Sequence, residues 1–184
     1  ILLILLLNSC FYLMWFLVFV KSIKIKKHIL LFQISNRLLK IISRAHLFLI
    51  GSGNQFDKIK NTILRKNLFN VTLLPPFNRK KYLSIMAKAD IGLVSLSNKM
   101  SSNNYPLKMI GYMQLSKPIL ASVNKNNEII SMIQDNNIGF ASNALDKESF
   151  DNNLDVMLTN TALRKKQGQN ALELFNKEFT VEVA

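Results

Sequence analysis

The sequence predicts an α/β fold built on a parallel sheet with helices on both faces. Three observations predict it. Apolar runs of four to six residues recur along the chain, helical patterns separate them, and glycine, proline and asparagine punctuate the junctions. Such runs suit strands buried on both sides, as parallel strands are, and each parallel pair needs a crossover element between its members. Right-handed crossovers then make a doubly wound sandwich the economical topology. With 184 residues, 49% of them hydrophobic, the chain is long enough to bury one domain-sized core.

Residues 1–20 form an almost unbroken apolar run, polar only at Asn8 and Ser9, and a basic stretch from Lys21 to Lys27 follows directly. That length about matches the hydrocarbon core of a bilayer, and flanking lysines mark a cytoplasmic side. A membrane helix is therefore one reading; a buried helix or a pair of strands is the other. The basic cluster follows the apolar run, and no small-residue cleavage site is apparent, which argues against a signal peptide. On this reading residues 1–28 are an apolar and basic segment, and residues 29–184 form the domain.

Within the domain, Leu31, Ile34, Leu38, Ile41 and Ile42 recur at helical steps and predict an amphipathic helix over residues 29–43. Residues 46–50 are a short apolar strand that runs into Gly51, Ser52 and Gly53. Helices over residues 56–66, 80–89, 106–115 and 127–134 then alternate with strands over 71–74, 91–96 and 119–123. A last short strand at 138–140 precedes two helices, 147–158 and 162–175. The chain starts at Ile1 and stops at Ala184 straight after a helical pattern, so a longer parent protein is expected.

The formal net charge of +13 is unevenly spread. Residues 21–66 carry eleven lysines and arginines against Asp57 alone, whereas acids outnumber bases beyond residue 125. This asymmetry suits anionic lipid, phosphorylated substrates or nucleic acid. Zinc-finger spacing and aromatic RNA-binding signatures are absent, and the lysines precede the domain rather than interleave with aromatics, so nucleic acid is not the expected partner. Cys10 is the single cysteine, which excludes an intrachain disulfide and a cysteine-based zinc site. His28 and His46 adjoin a lysine run and an apolar strand, positions that suit structural roles.

Ligands of open α/β sheets lie beyond the carboxyl ends of the strands, so the loops after Ile50, Leu74, Leu96 and Val123 form the candidate rim. Gly51-Ser52-Gly53 opens a helix there; glycines let backbone amides approach an anion, and the helix N-terminus adds partial positive charge. The third glycine of a dinucleotide fingerprint is missing. Pro106 suits a first helical turn and puts Lys108 near the positive end of that helix, a place that disfavours a cation unless an anion sits beside it.

Residues 105–122 resemble the segment Pro-Ser-Lys-x-x-Glu-Tyr-Met-Ala-x-Gly-Lys-Pro-Val-Ile-Ala-Ser of retaining GT-B glycosyltransferases of bacterial surface-polysaccharide synthesis. Residues 46–53 are similar to that family's strand and Gly-x-Gly loop, and residues 82–96 to its Ala-Asp-Ile-Gly-Leu stretch. The resemblance covers about residues 36–180. It implies a Rossmann-like donor-binding domain, one half of a GT-B fold, whose substrate is a UDP-sugar or another nucleotide sugar. It further implies that Gly51, Ser52, Gly53 and Lys108 lie at the donor diphosphate, Leu74, Pro75, Pro76 and Phe77 at the base, and Asn103, Asn104 and Tyr105 at the donor sugar or ribose. No cofactor and no metal is implied, because helix dipoles and basic side chains stabilise the departing diphosphate in this family.

Two departures bear on activity. The family's glutamate pair falls here on Asn103 and Gly111, neither of which is a carboxylate. The N-terminal acceptor domain and the glycine loop that opens the donor domain find no counterpart in residues 1–28. One half of a cleft does not position both substrates, so the isolated chain is expected to have little or no transferase activity. The parent is expected to transfer a sugar to a lipid-linked or saccharide acceptor, in the cytoplasm at the inner membrane face, with anionic lipid as a further partner. The alternative is an inactive fragment or a membrane-associated binding module without enzymatic activity.

Overall fold

A computed structural model describes residues 14–21, 45–53, 56–96 and 106–179. Its six strands are β1 (Met14–Lys21), β2 (Ala45–Ser52), β3 (Val71–Leu74), β4 (Ile91–Ser95), β5 (Ile119–Val123) and β6 (Gly139–Asn143). They form one sheet in the order β3-β2-β1-β4-β5-β6. Every pairing is parallel, with Phe19 of β1 opposite Ile50 of β2, Ile50 opposite Leu74 of β3, and Val18 of β1 opposite Leu93 of β4. All carboxyl ends therefore lie along one edge.

The described helices are α1 (Phe56–Arg65), α2 (Arg79–Met86), α3 (Leu107–Gln114), α4 (Ile129–Asp135), α5 (Lys147–Thr159) and α6 (Thr161–Glu178). They cover both faces. On one face Leu47 and Leu49 of β2, Ile91 and Leu93 of β4 and Leu120 of β5 pack with Ile59 of α1 and with Phe150, Leu154 and Met157 of α5. On the other, Ile50, Val94, Ala121 and Val123 pack with Met86 of α2, with Met109, Tyr112 and Met113 of α3, and with helices α4 and α6. Because side chains alternate along a strand, a strand covered on both faces must be apolar throughout. β5 meets that condition, since all five of its residues are buried.

Helix ends are fixed by short polar side chains. Asn78, Asp146 and Asn160 each accept a hydrogen bond from the backbone N–H three residues on, at the starts of α2, α5 and α6. The α5–α6 junction is closed by the buried Arg164, whose guanidinium donates to the carbonyls of Met157 and Leu158, orphaned at the end of α5.

The elements expected from β2 to α6 are found, with ends shifted by up to three residues. Residues 14–21 are a strand of the sheet, between β2 and β4, so a paired strand lies ahead of the expected domain start at residue 29. A central parallel strand and a membrane span give the same continuous apolar signal in a sequence. Among the described residues no helix is long and apolar enough to cross a membrane. The helix expected over residues 29–43 lies outside the described residues.

Candidate functional site

The strand order reverses direction between β1 and β4, and in open α/β sheets ligands bind beyond the carboxyl ends of the strands at such a switch point. Three sequence-predicted groups lie along the same edge. Gly51 and Ser52 end β2, and Gly53 follows with φ 136°, a backbone conformation that side chains with a Cβ rarely adopt. The Gly53 carbonyl accepts from the N–H of Phe56, the first residue of α1. Ser52 and Gly53 are exposed while Gly51 is buried, so the turn offers its backbone at the surface.

Leu74, Pro75, Pro76 and Phe77 leave the end of β3 on the next stretch of rim. The prolines are exposed, and Leu74 and Phe77 are half-buried against the core under α2. The Phe77 ring carries the Lys81 ammonium 4.2 Å above its centroid, a cation–π contact that keeps a positive charge beside this loop.

The third group is the start of α3. Pro106, in extended conformation, precedes Leu107, and no side chain caps the helix there. Lys108 is half-buried in the first turn, which contains no acid. What holds α3 in this position is Tyr112, one turn further on. Its ring is fully buried over Gly92 of β4, where a Cβ would stand 2.3 Å from two ring carbons. Only glycine admits the ring, so the β4 sequence determines how closely α3 approaches the sheet. Asn103, Asn104 and Tyr105 fall outside the described residues.

Gly111 faces α2: a Cβ here would lie 3.2 Å from the Met86 Cε. The thioether of a buried methionine occupies the space that a longer side chain at 111 would enter. Among the described residues no three His, Cys, Asp or Glu side chains cluster as metal ligands.

Sequence reasoning missed the carboxyl end of β1, one lip of the switch point. Lys21 ends that strand in register with Ser52 of the glycine turn. The signal for it in the sequence is the lysine immediately after an apolar run, a pattern that equally suits a membrane flank.

The family model described as glycosyl transferases group 1 matches residues 14–174. The chain belongs to this family. The match starts at β1, ahead of residue 36, where the resemblance in the sequence is expected to begin. Solved structures have the same GT-B half-fold. A variant of S. aureus TarM, crystallised with UDP and saccharide ligands, superposes with TM-score 0.76 at 19% identity over 95% of this chain and 34% of its own. WaaG, described as a glycosyltransferase involved in lipopolysaccharide biosynthesis, gives TM-score 0.71 at 18% identity over 91% of this chain and 44% of its own. The C-terminal domain of the group 1 protein LpcC from Francisella tularensis gives 0.67 at 16% identity over 91% and 87%. The chain thus spans about a third of TarM and under half of WaaG, but most of the isolated LpcC domain. No curated protein matches it at the sequence level.

Proposed function

We propose that this group 1 domain holds the diphosphate of a nucleotide sugar, a UDP-sugar in the first instance, at the carboxyl edge of its sheet. The parent protein then transfers the sugar, with retention, to a lipid-linked or saccharide acceptor at the cytoplasmic face of a membrane. What supports the reading is that the Gly51–Gly53 turn, the Leu74–Phe77 loop and the start of α3 all lie on the carboxyl edge of one parallel sheet.

Each group has a physical role in this reading. Backbone N–H groups of the glycine turn and the α3 N-terminus meet phosphate oxygens, and Lys108 adds a charge-assisted contact. The apolar loop from Leu74 to Phe77 packs on the base. These groups also stabilise the negative charge that grows on the departing diphosphate, since fixed dipoles and cations need no reorganisation during the reaction. The described residues furnish one wall of the crevice; the acceptor and the general geometry of transfer belong to an N-terminal domain opposite. TarM crystallised with UDP and WaaG in lipopolysaccharide synthesis support this choice of donor and pathway class.

Gly111 favours a second reading, of a domain that binds the nucleotide without turning over the sugar. With Met86 in the space beside it, this stretch of α3 presents no carboxylate to a sugar or ribose hydroxyl. Calorimetric titration with UDP, GDP, UDP-glucose and UDP-N-acetylglucosamine separates the cases. Saturable binding in which the sugar adds affinity over UDP supports a donor domain; equal affinity with and without the sugar supports the nucleotide-only module; no binding by folded protein refutes both.

A further inference from the structure

We propose that the turn joining α1 to β3 is a docking surface for an anionic lipid membrane, independent of the nucleotide crevice and of the apolar run at residues 1–20. Two large apolar side chains protrude here: Phe69 is 81% exposed and Leu64 is 64% exposed. They are held out by a rigid turn. The N–H of Leu68 donates to the Ile63 carbonyl at 3.0 Å and that of Asn67 to the Leu64 carbonyl at 3.1 Å, with Asn67 at φ 49°. This is the paired hydrogen-bond pattern of a Schellman helix end. Leu68, between them, is buried and anchors the turn to the core. Phe69 is thus presented to solvent by a structured segment.

Charge identifies the occupant. Residues 56–70 carry Lys58, Lys60, Arg65 and Lys66, all exposed, against a single carboxylate, Asp57, at the far end of α1. Lys60, Arg65 and Lys66 neighbour Leu64 along the helix and its end. An aromatic and an aliphatic side chain that project among cations match the boundary between headgroups and acyl chains, where the apolar tips enter and the ammonium and guanidinium groups stay with phosphates. A protein partner of similar chemistry would need a concave apolar pocket for Phe69, whereas a lipid surface receives it without one.

The position in the fold makes the inference testable. α1 leaves the carboxyl edge at Gly53 and ends at the amino edge, where β3 begins with Val71. The surface therefore lies across the sheet from the crevice, and lipid binding leaves the crevice open.

The experiment is co-sedimentation of the full chain with phosphatidylcholine vesicles, with and without phosphatidylglycerol. The expected result is binding that requires the anionic lipid, weakens with salt, and drops more than about tenfold in Leu64→Ser/Phe69→Ser. Replacing Lys60 or Arg65 by Gln lowers it about fivefold each at low salt. A Phe69→Trp variant retains binding, and its emission is quenched by brominated lipid beyond the quenching of Trp15 in the parent. Unchanged vesicle binding in the double variant, absence of binding by the parent, or variants that instead dissolve an oligomer overturns the proposal. Thermal melts of the same variants keep misfolding from counting as support.

Discussion

Replacing Gly92 by alanine tests the contact that seats α3 on the sheet. The new Cβ would lie 2.3 Å from the Tyr112 Cγ and Cδ2 and 2.9 Å from Cδ1, against an ordinary contact of 3.4 Å or more. The ring has to retreat by over 1 Å, as the difference between 3.4 and 2.3 shows. It has nowhere to go, because Tyr112 is fully buried with Met86, Met109 and Met113 in the same cluster. Overpacking of a filled core costs about 1–3 kcal/mol, and a forced shift of this size belongs at the upper end. For a chain of this length about 3 kcal/mol corresponds to a fall of roughly 6–12 °C in Tm. Urea unfolding followed by circular dichroism gives the energy directly. Repeating the substitution in a Tyr112→Leu background removes the ring, and the added cost falls below about 1 kcal/mol if the account is right. A Gly92→Ala cost under about 1 kcal/mol, or an equal cost in both backgrounds, refutes the reasoning. Because α3 also carries Lys108 to the rim, the single variant is expected to weaken nucleotide binding as well.

The remaining predictions concern the rim and its supports. Lys108→Ala is expected to weaken UDP binding by roughly 10- to 100-fold, the scale of one charge-assisted hydrogen bond, as read by calorimetry on protein that a melt shows to be folded. Gly53→Val forces a β-branched residue to φ 136°, so UDP affinity should drop in the same titration even though the position is exposed. Gly111→Ala gains up to about 1 kcal/mol of helix propensity, less whatever the flexible end of Met86 gives up, so a small rise in Tm is expected. Burial holds the His46 imidazole below its ordinary pKa of 6.5 while its Nε2 bonds the Thr72 hydroxyl at 2.7 Å. The unfolded chain therefore binds the proton more readily, and stability is full above the unfolded value and falls as pH drops through about 6.5. His46→Asn should flatten that slope in urea titrations across the same range.

Much of the architecture was legible because each signal was local. β3 and β5 fall at 71–74 and 119–123 as their apolar runs predict, since turn residues bracket both runs. α5 and α6 are separated at Asn160, whose capping side chain is a sequence-level start signal. β1 stays open in the sequence between a membrane helix and a strand, because its eight residues merge with the preceding apolar stretch and periodicity does not separate the two. The same ambiguity hid the switch point, because the strand order that makes it exists only once β1 stands between β2 and β4. The glycine turn and the start of α3 were visible as punctuation after strands. The glycine role of Gly92 was not, because its partner, Tyr112, lies twenty residues away and the contact depends on how α3 crosses the sheet.

The central claim is that the carboxyl edge of this sheet is the nucleotide site, and amide hydrogen exchange with and without saturating UDP tests it most directly. The account predicts slowed exchange at residues 51–53 and at the first turn of α3, with the turn at residues 66–70 on the opposite edge unchanged. Protection confined to that opposite edge, or spread evenly over the sheet when calorimetry shows saturable binding, would contradict it.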